Sequence, residues 1–330
     1  MTLASTRPTS RPSTPHVLVQ APAPPQSSNS PDHAIRDLAV VIASVNGWSL
    51  LEGTLRSLDA LPERSRIEVI VVDAVGGTDR ERIAAHRPTV TLIPAERHFP
   101  SGQFAIPQLR AVGARLASAS IVAILEDHVE VEPAWADTVL RILNAPDHPF
   151  AAVAGPVENG CAGYVNLAAF LTEYARYMAP LVDGAATDLP GNNIAYRRPH
   201  LLRHGQVLEE GRWESWVNDR LREEGQTLAT ANAMAVRHVK PFQLLDFLRQ
   251  RFDFSRSFAG MRRRDQSPAR RLVYGLGSLG LPALLLARLI RILVRKRRIE
   301  QGVWPAIPLV LLMLMVGACG EMIGYLIGPG

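Results

Sequence analysis

Apolar runs of strand length alternate with amphipathic stretches between residues 38 and 143. The runs are rich in Val, Ile, Leu and Ala, and they occupy residues 38–44, 67–72, 90–93 and 121–126. Apolar positions at helical spacing follow them at residues 49–61, from about 77 onwards, at 108–119 and at 133–143. Buried strands that alternate with helices predict an α/β fold with a mostly parallel, Rossmann-like sheet flanked by helices. Ligands of such sheets bind over the carboxyl ends of the strands.

The most polar of these strand ends is Glu126-Asp127-His128, at the close of the 121–126 run. Successive side chains of a strand point to opposite faces, so Glu126 and His128 are expected on one face and Asp127 on the other. A carboxylate oxygen beside an imidazole nitrogen offers ligands for a divalent metal ion. The alternative interpretation is a polar turn that begins the helix at 133–143.

Three strand ends combine an apolar run with polar residues in a specific order. They read Val-Ile-Ala-Ser-Val-Asn at 41–46, Val-Ile-Val-Val-Asp-Ala-Val-Gly-Gly-Thr-Asp at 69–79, and Leu-Glu-Asp-His at 125–128. At these separations the segments resemble the nucleotide-sugar-binding half of the inverting family 2 glycosyltransferases. The resemblance covers roughly residues 37 to 240 and implies the GT-A fold.

The resemblance also implies roles for individual residues. The family's nucleoside-recognising aspartate falls on Asp73, and its metal-binding Asp-x-Asp pair falls on Glu126 and His128. The implied nucleotide-sugar-binding residues are Ser44, Asn46, Asp73, Arg110, Glu126 and Asp127. The implied cofactor is Mn²⁺ or Mg²⁺, and an imidazole ligand favours Mn²⁺ because Mg²⁺ prefers oxygen. For Arg110, a solvated helix face is the alternative interpretation.

A loop and strand at residues 189–198 resemble the acceptor side of the same family. Glycine permits close approach of the backbone, and asparagine amides can donate to sugar or phosphate oxygens. The implied acceptor-binding residues are Gly191, Asn192, Asn193 and Trp213. Pro-Gly-Asn-Asn is also an ordinary turn sequence, which is the alternative interpretation.

The family's general base falls on Glu214 when the segments are aligned through Arg220-Leu221. The family has an acidic pair there, and Trp213 occupies the place of its first acid. A base at this position would remove the proton from the acceptor hydroxyl. Alternatively, Glu214 is an acid in the first turn of a helix, where it stabilises the amino end.

Composition divides the 330 residues into four segments. Residues 1–35 are rich in Pro, Ser and Thr, lack apolar periodicity, and are expected to be disordered. Residues 36–240 form the implied catalytic domain, 241–270 a basic amphipathic segment, and 271–330 a region with two apolar stretches. For the basic segment, a packing helix of the soluble domain is the alternative.

The two apolar stretches predict membrane attachment. Residues 303–327 are long enough to cross a bilayer, whereas 272–293 contains Pro282, Arg288 and Arg291 and is expected to be interfacial or transmembrane. The net charge of +5 comes largely from arginines beside these stretches. Membrane lipids are therefore the expected partner, and nucleic acid is not. The positive-inside rule keeps residues 295–298, and with them the catalytic domain, on the cytoplasmic side of the inner membrane.

Together these features predict a membrane-bound, inverting glycosyltransferase. It would transfer a sugar from a nucleotide diphosphate-sugar, with UDP-sugar implied by the resemblance, to a lipid-linked or membrane-proximal saccharide acceptor. A catalytically silent nucleotide-sugar-binding or scaffold protein is the alternative, because His128 and Trp213 replace family acids. A nicotinamide-dependent oxidoreductase is disfavoured because G-x-G-x-x-G is absent after the first strand. Cys161 and Cys319 alone build neither a disulfide framework nor a zinc motif.

Overall fold

A computed structural model describes residues 36–146, 149–263, 266–299 and 302–329. The expected disordered segment 1–35 lies outside the described residues. The strands are β1 Leu38–Ser44, β2 Ile67–Asp73, β3 Thr91–Pro94, β4 Ile121–Glu126, β5 Val129–Val131, β6 Phe150–Ala154, β7 Val157–Asn159, β8 Gly184–Ala186, β9 Asn193–Arg197, β10 Thr227–Thr230 and β11 Val236–His238. Eight of them form one sheet in the order β3-β2-β1-β4-β9-β6-β10-β8, which confirms the predicted α/β class.

The sheet is mostly parallel, as predicted, with two antiparallel departures. The strands β3, β2, β1 and β4 run in parallel, and so do β6 and β10. β9 is antiparallel to both β4 and β6, and β8 is antiparallel to β10. β9 begins with Asn193 opposite Leu125, near the end of β4. The loop that precedes β9 therefore lies at the carboxyl edge of the parallel strands, beside Glu126.

Helices cover both faces of the sheet. They are α1 Trp48–Asp59, α2 Gly77–His86, α3 Ile106–Leu116, α4 Trp135–Asn144, α5 Tyr164–Tyr174, α6 Arg198–Arg203, α7 Gly205–Glu209 and α8 Glu214–Glu223. Alternate residues of β1 enter two apolar layers: Val40 packs in the layer with Leu55 of α1, and Val41 packs in the layer with Val112 of α3. Contact with α3 is so close that a Cβ on Gly113 would lie 2.4 Å from Val41 Cγ1.

A second sheet of three short strands lies beside the end of β4, in the order β5-β11-β7. β5 follows Glu126 after two residues, and β11 pairs antiparallel with it, with His238 opposite Val129. Val239 N also donates to His128 O at 2.9 Å. This pairing brings His238, which lies far along the chain, to the polar end of β4.

The carboxyl-terminal region is helical, with α9 Leu244–Arg263, α10 Pro268–Gly277, α11 Leu281–Arg295 and α12 Ile307–Leu326. Two stretches are long and apolar enough to cross a membrane, namely Pro268–Arg295 and Trp304–Leu326. The first consists of α10 and α11 with a short 3-10 turn between them. α12 packs along α9 and also contacts α5 of the sheet domain.

Candidate functional site

Glu126 ends β4, and Asp127 and His128 form the turn that follows it. Glu126 Oε2 lies 3.3 Å from His128 Nε2. The Asp127 carboxylate instead accepts hydrogen bonds from the backbone N–H groups of Val45 and Asn46 at 2.7 and 2.8 Å, and from Asn46 Nδ2 at 2.8 Å. Asp127 thus anchors the turn after β1, where Asn46 was predicted to bind the nucleotide-sugar.

His238 joins the predicted pair and was missed from the sequence. Glu126, His128 and His238 each offer one ligand atom, and these atoms all lie within 4.8 Å of one another. The two imidazole rings meet edge to face with centroids 4.7 Å apart. Tyr174 and Phe242 pack on the other sides of His238, with centroids at 5.3 and 5.4 Å. His238 closes β11, more than a hundred residues after His128, so no local spacing could have revealed it.

Burial and neighbouring charges shift the pKa values of Glu126, His128 and His238. Burial would raise the pKa of Glu126, but its hydrogen bond to His128 and the positive charges nearby lower that pKa well below its usual range. Burial would lower the pKa of His128, yet hydrogen bonds to Asp127 and Glu126 raise it to about 9. Burial and the charge of His128 lower the pKa of His238 to about 4. His238 is therefore neutral at pH 7, the form in which imidazole binds a metal, whereas His128 is protonated at pH 7 and would have to release a proton to bind one.

The chemistry of these three residues fits a divalent transition metal. His128 Nδ1 donates to Asp127 Oδ1 at 2.7 Å, which leaves Nε2 directed toward Glu126. A carboxylate that fixes the ring and tautomer in this way is a common outer partner of metal-binding histidines. His238 Nε2 is buried and has no hydrogen-bond partner within the described residues. One carboxylate and two imidazoles suit Mn²⁺ better than Mg²⁺, which prefers oxygen ligands.

Arg110 connects the candidate metal ligand Glu126 to the predicted base Glu214. Its guanidinium is buried, with Nη2 3.7 Å from Glu126 Oε1 and Nη1 2.9 Å from Glu214 Oε2. Nη1 also donates to Gly191 O at 3.3 Å, and the group lies 5.6 Å from the centroid of the Trp213 ring. This burial excludes the solvated helix face as an interpretation of Arg110.

Glu214 begins α8 and is 1% exposed, with Trp213 as the residue that precedes the helix. Only Oε2 is held by Arg110; Oε1 is buried and has no hydrogen-bond partner in the described ranges. Gly191 lies directly against the carboxylate, since a Cβ there would be 2.8 Å from Glu214 Oε2. The structure thus brings together the predicted base and the predicted acceptor loop.

The two asparagines of this loop differ in how their amides are used. Asn193 accepts from Trp135 Nε1 at 2.8 Å and donates to the carbonyls of Met234 and Pro156. Those contacts give it a structural role at the start of β9. Asn192 is 3% exposed, and neither Oδ1 nor Nδ2 has a protein partner among the residues described. Buried polar atoms are rarely left without a partner, so the Asn192 amide is available to a ligand.

Asp73 and Ser44 lie side by side at the ends of β2 and β1. Asp73 is fully buried, accepts from the N–H groups of Val75 and Gly76, and forms an ion pair with Arg80 at 2.6 Å. Its carboxylate shapes the glycine turn before α2. Ser44 Oγ is buried without a hydrogen-bond partner in the described part of the chain. Of the two, the serine hydroxyl is the group left open to a ligand.

Comparison with known proteins supports the fold through structure rather than sequence. No protein-family model matches the chain, and no curated protein matches it. The mannosyltransferase PcManGT from Pyrobaculum calidifontis, solved in complex with GDP-Man and Mn²⁺, is similar with a TM-score of 0.54 and 18% identity. The similarity covers 88% of this chain and 89% of that protein. GalNAc-T7 with UDP, GalNAc and Mn²⁺ gives a TM-score of 0.46 at 16% identity, over 64% of this chain and 45% of its own. The similarity to PcManGT shows that the chain has the predicted GT-A fold.

Proposed function

We propose that the protein is a metal-dependent, inverting glycosyltransferase of the family 2 type. It takes a sugar from a nucleotide diphosphate-sugar, with a UDP-sugar as the expected donor, and places it on a lipid-linked or membrane-proximal saccharide acceptor. One observation carries the proposal. The ligand atoms of Glu126, His128 and His238 lie within 4.8 Å of one another at the carboxyl edge of a GT-A sheet.

Glu126, His128 and His238 would hold the metal, with Asp127 orienting His128. A bound divalent ion would stabilise the negative charge that develops on the departing diphosphate. Ser44 Oγ and the Asn192 amide are buried groups that lack a protein partner among the residues described, and they can bind donor or acceptor oxygens. Asp73 sets the turn after β2 that borders this edge, where nucleoside recognition is expected.

Glu214 is the proposed base, and its two oxygens have separate tasks. Arg110 holds Oε2, which fixes the orientation of the carboxylate. Oε1 is the free oxygen that can accept the proton from an acceptor hydroxyl as that hydroxyl attacks the sugar. Gly191 lies directly against the carboxylate, so a side chain at this position would displace Glu214.

The carboxyl-terminal helices are proposed to hold this site at the membrane. Trp213, next to the base, contacts Phe254 of α9 with ring centroids 5.7 Å apart, and Phe254 stacks on Phe258 at 6.0 Å. Aromatic rings thus lead from α9 to the catalytic carboxylate, a surface that suits an acceptor with an apolar anchor. The basic residues after α11 favour the cytoplasmic face of the membrane.

The test is transfer of a labelled sugar by the full chain in detergent. UDP-sugars and GDP-mannose are supplied separately, with Mn²⁺ or with a chelator, and hydrolysis and transfer to extracted membrane lipid are measured. Metal-dependent turnover of one donor is expected. A catalytically silent nucleotide-sugar-binding protein is the second candidate, favoured by the ion pair that Arg110 forms with Glu214. Donor binding without hydrolysis or transfer would support that candidate, and absence of donor binding would refute both.

A further inference from the structure

The two apolar stretches at the carboxyl end differ in what covers them. In Pro268–Arg295, which contains α10 and α11, 17% of the apolar window is buried, against 39% in Trp304–Leu326, which contains α12. Both stretches have the length of a membrane span. Their contacts with the rest of the chain decide whether either of them can cross.

The amino half of α12 belongs to the core of the sheet domain. Val310 and Met313 are fully buried in the same apolar layer as Phe170 of α5. Thr172 Oγ1 lies 3.7 Å from Met313 Sδ. α5 ends at Tyr174, whose hydroxyl donates to Glu126 at 3.4 Å. A bilayer around this half of α12 would have to enclose the helix that borders the candidate metal site.

The carboxyl half of α12 lies against α9, backbone to backbone. A Cβ on Gly320 would be 2.3 Å from Phe252 O, and one on Gly324 would be 2.3 Å from Arg256 O. The two helices therefore run in the same direction to the end of α12. α9 carries seven charged residues, namely Asp246, Arg249, Arg251, Asp253, Arg256, Arg262 and Arg263. Charges inside the hydrocarbon core are strongly disfavoured, so α9 cannot accompany α12 through a bilayer.

The end of α11 is also fastened to the sheet domain. Leu293 is 2% exposed within the core layer. Beyond it, Lys296 Nζ donates to the carbonyls of Arg176 and Met178. Arg298 Nη2 lies 2.9 Å from Glu158 Oε1 at β7. These bonds hold the turn after α11 against the sheet domain. The turn therefore lies on the same side of any membrane as the proposed catalytic residues.

What remains open is the outer face of α10 and α11. Its first part is apolar and exposed, with Leu272 at 53%, Val273 at 66%, Leu276 at 55% and Leu279 at 59%. Its last part is basic and exposed, with Arg288, Arg291 and Arg295. We propose that this face attaches the protein to one leaflet of an anionic membrane, with α10 and α11 in the plane of the interface. No helix in the described part of the chain then crosses the bilayer. The inference rests on the membrane attachment proposed above and is independent of the transfer reaction.

The pattern of charge on this face indicates what binds to it. An apolar surface that continues into arginines matches a lipid surface, where acyl chains lie beneath anionic headgroups. A second copy of the chain would bring like charges together if the two faces met, which is unfavourable. An anionic bilayer satisfies both parts of the face at once.

The sidedness of three positions tests whether a helix crosses. Full-length protein with Cys161 and Cys319 replaced by Ser receives one cysteine at a time, as Asp137→Cys on α4, Arg297→Cys after α11, or a cysteine appended after Gly330. Sealed membrane vesicles are treated with a membrane-impermeant maleimide. Equal labelling of all three positions from one side, within about twofold, is expected. The inference is overturned if Arg297→Cys or the appended cysteine reacts only after detergent while Asp137→Cys reacts without it.

Flotation with vesicles tests the face itself. The triple variant Leu272→Gln/Leu276→Gln/Leu279→Gln should bind vesicles at least tenfold more weakly than the unmodified chain, with or without phosphatidylglycerol. Arg288→Gln/Arg291→Gln/Arg295→Gln should lose the additional binding that phosphatidylglycerol gives and should bind both kinds of vesicle as the unmodified chain binds those without it. Val182→Gln, at an exposed site on the sheet domain, is the control and should bind normally. Undiminished binding of the leucine variant overturns the inference. If the unmodified chain does not float, membrane attachment fails as well, and the donor assay above still decides the enzymatic proposal.

Discussion

Arg110 and Glu214 form a buried ion pair, with Nη1 2.9 Å from Oε2 and side chains that are 2% and 1% exposed. The pair joins the helix α3 to the start of α8, two elements about a hundred residues apart in the chain. Arg110 also reaches Glu126, so a single guanidinium connects a proposed metal ligand to the proposed base. Metal binding at Glu126 and proton removal by Glu214 are therefore both expected to depend on Arg110.

Glu214→Gln should lower transfer to the acceptor by about 10²- to 10⁴-fold, because the amide cannot remove a proton. Donor affinity should stay near the unmodified value, since proton abstraction is not part of ground-state binding. Single-turnover transfer and donor titration measure the two effects. Glu210→Gln is the control, because Glu210 is exposed and pairs only with Arg212, at 3.4 Å, among its salt bridges within the described residues. Transfer by Glu214→Gln at the unmodified rate would place the base elsewhere.

Arg110→Met should lower the free energy of unfolding by about 3–5 kcal/mol, because it leaves the buried Glu214 carboxylate without its partner. The double variant Arg110→Met/Glu214→Gln should recover much of this loss, since the uncompensated charge is gone. Arg115→Met breaks the exposed pair with Glu209 and should cost about 0–1 kcal/mol. Urea unfolding checks all three variants, and equal losses for Arg110→Met and Arg115→Met would contradict the prediction.

His128→Ala and His238→Ala should each weaken Mn²⁺ binding by at least about tenfold, because each removes one of three ligands. Metal-dependent donor binding should fall in parallel while the fold stays intact. His98→Ala removes an exposed loop histidine and should leave Mn²⁺ affinity unchanged. Calorimetric titration measures these affinities. If His238→Ala binds Mn²⁺ as tightly as the unmodified protein, His238 is not a ligand.

Because of Glu173 in α5, the free energy of unfolding should fall as the pH rises. Burial raises the pKa of Glu173 to about 7, against the opposing charge of Arg251. In the unfolded chain the carboxyl titrates near its ordinary value of about 4.3, so the folded state binds more protons between about pH 4 and 7. The stabilisation is complete below that window and is lost as the pH rises through 7.

Glu173→Gln should abolish this dependence and stabilise the protein by about 1–3 kcal/mol at pH 8, with little change at pH 4. Unfolding by urea at several pH values is the measurement. Glu81→Gln, at an exposed position of α2, should leave the pH profile as it is. A constant difference between Glu173→Gln and the unmodified protein across this range would show that folding does not change the pKa of Glu173.

The sequence by itself determined the local elements and their polar ends. β1 occupies the residues predicted, because a strand covered on both faces is a short, continuous apolar run rich in β-branched residues. The prediction of α3 began two residues late, since Pro107 fits the first turn of a helix. The position of Glu126, Asp127 and His128 at the end of an apolar run also followed from the chain alone, but Asp127 and His128 lie in the turn after β4, where strand alternation does not set their directions.

Only the tertiary structure decided which distant residues meet. His238 reaches the proposed metal ligands Glu126 and His128 because β11 pairs with β5, and Arg110 meets Glu214 because β9 returns beside β4. Strand order and register set these contacts, and neither leaves a periodic mark in the local sequence. The same reason applies to α12, whose hydropathy predicts a span but whose glycines pack against α9. Hydropathy reports how apolar a helix is, whereas the partner that covers it depends on the whole fold.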